Sequence, residues 1–396
     1  MKTDIIGFAE RVQSSLTRYE RVSPMSPMSR CKLPNACYIF IGRTFTRGHS
    51  VNTQAKLESF ELDFERSYRS IDTWNCEAHS RGTTSWSHEY KQVKREPFAG
   101  HITELEFGSL QIVLERVCNP IEYQGSPAEG KVGFVVILPS EGAAYCHGRP
   151  LDANMILKFP INYLHRTFCT GPIEAVAITV DLDSLANYVN RMTNGEIDQG
   201  CLHGGLRISD PEIVQNFIET IFDIIEHTSD AHARSEDTMW RDHNIERIHR
   251  LLLQVIKAGL SAPLNLPAPS TRAYIVDKAI TFMEAHLSEK LPMSRICQAV
   301  RVSPRTLRYS FEQIVGVSPM QYMLSLRLHA VRRVLLNGGA EKSINRVAES
   351  FGFEHLSRFA QYYRESFGEL PSETTAACGR SSIDSLFVTN SPSSRA

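Results

Sequence analysis

Between Met293 and Arg364 the chain carries one short pattern twice: a brief helix with a small apolar face, a tight turn, and a second helix whose outer face is basic. In the first copy Ile296, Ala299 and Val300 share a face, and the small Cys297 sits where another helix can approach closely. Arg301 and Val302 make the turn. Ser303 can then accept a hydrogen bond from the free amides of a new helix, and Pro304 brings its φ already set to the first helical position. Leu307 and Phe311, four apart, face inward, which leaves Ser303, Arg305, Thr306, Arg308 and Tyr309 on the outer face near the N-terminus. By itself this unit is read equally well as a solvated basic helix of an ordinary bundle.

The second copy tips the balance. Ile344, Val347 and Ala348 supply the apolar face, and Phe351-Gly352-Phe353 the turn, with Gly352 free to take the left-handed conformation. Phe359, Tyr362 and Tyr363 pack the next helix, and His355, Leu356, Ser357, Arg358, Gln361 and Arg364 are left outside. Between the copies Leu324, Leu328, Val331 and Leu335 step by four, three and four residues, which predicts one helix over Pro319–Leu336, about 27 Å long. With the helix widths added, two outer helices so joined can stand about 34 Å apart, one turn of DNA. The expected partner is therefore double-stranded DNA. Arg305 and Arg308 suit bidentate contacts to guanine, while Tyr309, Ser357 and Gln361 suit other base edges and Leu356 a thymine methyl. Arg332, Arg333, Arg358 and Arg364 suit phosphates, which position without specifying.

These stretches resemble the AraC/XylS family of transcription regulators over Arg272–Ala376. The residues that carry the likeness are VSPRTLRYSF, GVSPMQYMLSLRLHAVRRVLL and SINRVAESFGFEHLSRFAQYYRESFGELPS, in the family's order and spacing. GFEHLSRFAQYYRESFGELPS and HAVRRVLL look most like the branch containing the ethanolamine-utilisation activator, and this closer likeness fades toward the N-terminus. The chain departs from the family at Cys297, where alanine is usual, and at Pro292, where a Ser or Thr would cap the helix. The resemblance implies an effector-responsive activator of a catabolic operon, with a cupin-like domain ahead of the DNA-binding one and with RNA polymerase as a partner.

At 396 residues the chain can form two or more sizeable cores. Its net charge of −1 gives no hint of a nucleic-acid partner, but the charge is unevenly placed. Arg272–Ala376 holds 14 Lys and Arg against 10 Asp and Glu, a net +4, leaving −5 elsewhere. The N-terminus has early acids and no apolar run of a secretory signal, and no run approaches the roughly 20 residues of a membrane span, so a cytoplasmic location is expected. The nine cysteines show no CxxC spacing. Cys146-His147 and Cys201-x-His203 are two-ligand fragments, short of a metal site. No P-loop, G-x-S-x-G or H-E-x-x-H is present. The sequence predicts no enzyme, cofactor or metal.

The rest predicts an α+β chain. Residues up to Lys94 show no clear period, and Ser23–Arg30 reads as a loop. From Phe98, Leu105 and Phe107, then Leu110, Ile112 and Leu114, then Phe134–Leu138 and Val176, Ile178 and Val180 alternate or run as strands. Gly and Pro clusters divide them, as in a sandwich or small barrel. Asp210-Pro211 opens a helix striped by Ile213, Phe217, Ile221, Ile224 and Ile225. A second, over about 236–259, carries Ile245, Ile248, Leu252 and Val255, with Gly259 as its expected C-cap. The pair makes a homodimer interface or packs within its own domain. SAPLNLPAPS is read as a linker. The expected organisation is an N-terminal β-rich effector-binding and dimerisation domain over 1–260, with strands over about 98–185 and helices over about 211–259. A linker over 261–271 follows, then an all-α DNA-binding domain over 272–376, with helix-turn-helix units over about 293–315 and 342–365, and a serine-rich disordered tail over 377–396. An architectural DNA binder without effector, and an enzyme domain fused to a DNA-binding one, are the alternatives.

Overall fold

The computed structural model describes residues 68–146, 148–153, 155–229, 238–260, 270–337 and 343–376. The expected loop at Ser23–Arg30, nearly all of the linker and the serine-rich tail lie outside them. The chain is a β-rich domain followed by a helical one. Strand β1 (Tyr68–Thr73), helix α1 (Cys76–Ser80) and β2 (Trp86–Gln92) lead into β3 (Gly100–Phe107), β4 (Leu110–Val117), β5 (Ile121–Pro127) and β6 (Lys131–Ile137). The short strands β7 (Ala144–Cys146), β8 (Arg149–Leu151) and β9 (Ile156–Lys158) precede β10 (His165–Cys169) and β11 (Ile173–Asp181). Helix α2 (Leu182–Thr193), β12 (Leu206–Ile208), α3 (Pro211–Ser229) and α4 (Thr238–Leu260) complete the domain. One antiparallel sheet runs β1-β3-β4-β11-β6-β9-β12 and the other β2-β5-β10-β7-β8.

Strand alternation explains what covers the larger sheet. Val176 lies opposite Leu114 and Val136, Ile178 opposite Ile112 and Phe134, and Val180 opposite Leu110 and Val132. These nine side chains form one apolar patch, and each contributes about 1.5–3 kcal/mol when buried. Phe217, Ile221, Ile224 and Ile225 of α3, with Ile248, Leu252 and Val255 of α4, close over it in a single core. The helix pair thus packs within its own domain. Gly259 is not a C-cap, because α4 continues to Leu260. It lies instead against Leu206, whose Cδ1 a Cβ would meet at 3.1 Å. The strands also exceed the expected span of 98–185: β1 and β2 come before it and β12 after it. Strand β2 showed no clear period because its inner face, which buries Trp86 and Tyr90, also takes the polar His88 and Gln92, while Ser87 and Glu89 on the other face are exposed.

The helical domain is α5 (Thr271–Ala285), α6 (Met293–Val300), α7 (Pro304–Ile314), α8 (Pro319–Leu336), α9 (Ile344–Ser350) and α10 (Leu356–Phe367). Ser303 caps α7 by accepting from the Thr306 amide at 3.1 Å. Ser318 and Gln321 form a reciprocal capping box on α8, with Pro319 at its first position. Gly352 takes φ 79° in the second turn as expected, whereas in the first it is Arg301 that adopts φ 57°. In α6 it is Cys297, not Ala299, that faces the core. Two cores result. Tyr322, Met323 and Leu326 of α8 join α5, α6 and α7, while Leu328, Val331 and Leu335 join α9 and α10.

A polar seam ties the helices to the smaller sheet. The Glu122 carboxylate on β5, 1% exposed, accepts from Tyr322 Oη at 2.6 Å and from Arg166 Nε at 3.1 Å. The Gln92 amide donates to His329 Nε2 at 3.1 Å, and Ser325 donates to the Gln92 carbonyl. His329 must be neutral to accept that bond. Burial, with Lys91 and Arg332 nearby, lowers its pKa from 6.5 to about 3, against a smaller opposing pull from Glu122. Its folded pKa lies below the unfolded one, so the unfolded chain takes up the proton first. The stabilisation is present above pH 6.5 and is lost as pH falls toward 3. Between pH 7 and 5 the wild type should lose about 2 kcal/mol more than His329→Gln, whose amide oxygen keeps the bond. Urea unfolding of both proteins at the two pH values checks this; equal losses refute it.

Candidate nucleic-acid interface

The outer faces of α7 and α10 are both open to solvent. On α7 Arg305, Thr306, Arg308 and Tyr309 are exposed, because Leu307, Ser310, Phe311 and Ile314 turn the other way into the core. Ser303 is engaged as the cap and bonds Thr306 Oγ1 at 2.9 Å. On α10 Phe359, Tyr363 and Phe367 anchor the helix, and Ser357, Arg358, Gln361 and Arg364 face out, with His355 just ahead of it. Leu356 is half-buried, and Gln361 donates to Glu365 at 2.7 Å. Each helix therefore presents two arginines among short hydrogen-bonding side chains, the residue types that read base edges and phosphates.

Two expected phosphate contacts lie elsewhere. Arg332 is buried, which corrects its assignment to DNA: its guanidinium donates to Glu77 at 3.0 Å and Glu369 at 2.7 Å, and lies 4.6 Å over the Phe367 ring. Burial works against its charge, but Glu77, Tyr363 and Glu369 outweigh it and raise the pKa. Position 332 falls on the inner side of α8, where the sequence stripe of Leu328, Val331 and Leu335 already pointed. Arg333 is exposed but paired with Glu89 of the β-rich domain at 2.6 Å. It would have to leave that acid to meet a phosphate.

Arg272 was missed. It begins α5, far from α7 in sequence, yet its guanidinium lies 4.8 Å over the Tyr309 ring. With Ser270, Thr271, Arg305 and Thr306 it borders a groove of about 690 Å³ whose far side is Gly148 of the β7–β8 turn. None of the described residues that line this groove is acidic. Only the packing of α5 against α7 brings Arg272 there, and nothing in the local pattern marks it.

In the β-rich domain the faces of β2, β5 and β10 opposite the seam gather a second polar group. Glu115 Oε1 bonds His79 Nε2 at 2.9 Å, and His79 Nδ1 meets Thr73 Oγ1 at 2.6 Å. Tyr90 packs edge-on to His79, His88 and Tyr123, and Tyr123 packs on His165. Thr73 and His79 are sealed from solvent, which removes them from reach as a nucleophile and base. No group of three or more metal-ligating side chains, and no helix long and apolar enough to cross a membrane, occurs among the described residues.

A helix-turn-helix domain family matches residues 296–377, which contain α7 and α10. XylDLEGF operon transcriptional activator 2 of Pseudomonas putida is 36% identical over 110 residues, 28% of this chain and 70% of that protein. Another XylDLEGF operon transcriptional activator of Pseudomonas putida is 36% identical over 103 residues, so that the match spans 26% of this chain but about a third, 32%, of that one. The crystal structure of a transcriptional regulator with an AraC-type DNA-binding domain, from Chromobacterium violaceum, is 33% identical, with 27% of this chain and 94% of that chain covered and a TM-score of 0.26. The extent of the match to the Pseudomonas putida activator, together with the helix-turn-helix family match, shows that this chain belongs to the AraC/XylS family of transcription regulators.

Proposed function

We propose that the chain is a sequence-specific, effector-responsive activator of a catabolic operon that reads promoter DNA with α7 and α10. The observation that carries this is the pair of exposed basic helices at the two ends of one 18-residue helix, α8. Arg305 and Arg308 read guanines, with Thr306, Tyr309, Ser357, Gln361 and Leu356 on other edges. Arg358 and Arg364 hold phosphates, with Arg333 once released from Glu89, and His355 and Ser303 lie at the margins. The relatives named for operons they activate support the activator role. The wording of α8 and α10 supports a place near the ethanolamine-utilisation branch. On this reading the protein works in the cytoplasm, touches RNA polymerase and acts on its operator as a homodimer.

On this reading the effector binds in the β-rich domain beside the half-buried His88 and Tyr123, with Tyr90 and His165 packed behind them. Adjacent residues on a strand face opposite ways. Tyr123 and His165 are therefore one position from Glu122 and Arg166, and a ligand that shifts them biases the seam. A ligand acts only through unequal affinity for two states of the protein, and the seam provides the contacts that differ.

Arg305→Ala and Arg308→Ala should each cost about 1–3 kcal/mol on the cognate duplex and little on a scrambled one. Fluorescence anisotropy on both duplexes measures this, and equal losses would make these arginines phosphate contacts. Arg364→Ala should instead weaken every sequence alike and reduce the slope of log K against log salt by about one unit. Arg332→Ala should leave that slope unchanged and lower stability by about 2 kcal/mol, since charged hydrogen bonds are lost.

A fragment beginning at Ser270 should bind the same sequence more weakly and lose all response to the effector. The effector is first found by a thermal-shift screen of compounds handled by the products of neighbouring genes. A fragment that responds as strongly as the full chain would remove sensing from the β-rich domain.

A further inference from the structure

The two lobes of the helical domain have separate cores and share α8. On that helix Arg327, which lies against Gly352, donates to the Leu287 and Glu289 carbonyls, and away from it Lys290 pairs with Glu354 at 2.9 Å. The Lys290 pair is solvent-exposed, and exposed pairs contribute little. Two helices that read one DNA site gain from each other only if their separation and angle are held in advance. Otherwise binding itself must order them.

One short segment of the β-rich domain crosses both lobes. Lys91 reaches Glu284 of α5 at 3.9 Å, and Val93 is part of the first lobe's core. The backbone of Gln92 holds Ser325 and His329 at the middle of α8. Its side-chain amide donates to the Ser366 carbonyl of α10 at 3.0 Å. Arg95 pairs with Glu365 at 3.1 Å and lies 4.3 Å over the Tyr362 ring, both on α10. Four of these five consecutive residues thus grip α5, α8 and α10, and the reading side chains of α7 and α10 stay exposed.

We propose that the segment Lys91–Arg95 is a splint that fixes the spacing and angle of the two recognition helices, so that the β-rich domain sets which operator spacing is read. This rests on the DNA-reading function proposed above. The segment begins in β2, where His88 and Tyr90 lie on the same face as Gln92 and opposite Lys91. A ligand among those side chains would act on spacing tolerance and affinity, with no need to cover or uncover a reading face.

The test uses the full chain. Wild-type protein selects duplexes from a random-sequence pool. The enriched duplex is then remade with its two segments one or two base pairs further apart, and with one segment scrambled. Each added base pair rotates one segment by about a tenth of a turn, so a rigid pair of helices should lose about tenfold or more. Arg95→Ala removes a partly exposed side chain held only through α10, and Gln92→Ala removes the amide bond to Ser366. Both should bind the single-segment duplex within about twofold of wild type, lose about tenfold on the correctly spaced one, and fall by less than about threefold when the spacing changes. Variants that keep the wild-type dependence on spacing, or that weaken on both kinds of duplex alike, would overturn the splint and leave the DNA-reading function intact. A wild-type chain that enriches no sequence would overturn that function and the splint with it.

Discussion

The rest of the structure depends on a buried carboxylate. Glu122 projects from β5, between β2 and β10 of the smaller sheet, toward the helical domain, and is 1% exposed. An isolated charge in that position would cost far more than a domain's net stability. Tyr322 from α8 and Arg166 from β10 meet both of its oxygens, and Arg166 in turn reaches Asp277 and Glu284 of α5. Pulling the domains apart would strand each of these groups and uncover Val93 and Phe168, which sit in the first lobe's core. A buried pair of this kind fixes geometry more than it adds stability.

Docking in turn decides which cations remain for DNA. Arg332 and Arg333 are neighbours on α8, yet one is enclosed by Glu77 and Glu369 and the other leans on Glu89. The arginines of α7 and α10 are kept apart from this network because apolar anchors four residues apart, Leu307 with Phe311 and Phe359 with Tyr363, fix the rotation of each helix. Their outer faces therefore stay exposed to solvent, that of α7 beside the β7–β8 turn. The protein can hold its two domains tightly together and still present two basic helices.

The same strands serve two purposes. Along β5 and β10 consecutive residues alternate between the seam and the polar group that includes His79 and Tyr123. Strain introduced on one face is felt on the other within a single residue, which gives coupling a short physical path. In β2 the polar His88 and Gln92 share the inner face with Trp86 and Tyr90, which hid its period in the sequence.

Local patterns determined most of the helical domain. Capping by Ser303 and Ser318, prolines at first helical positions and the stepping of Leu324, Leu328, Val331 and Leu335 specify helix ends and inner faces without tertiary help, because these are interactions within four residues. The strands of the larger sheet were legible for the same reason: helices cover one face with an apolar period of two. Tertiary structure alone decided that β1 and β2 belong to the fold, that the α3–α4 pair closes its own sheet, that Arg332 is enclosed, and that Arg272 stands beside Tyr309. These are set by partners from 27 to 255 residues away, and a charge or stripe in sequence does not name the partner that will satisfy it.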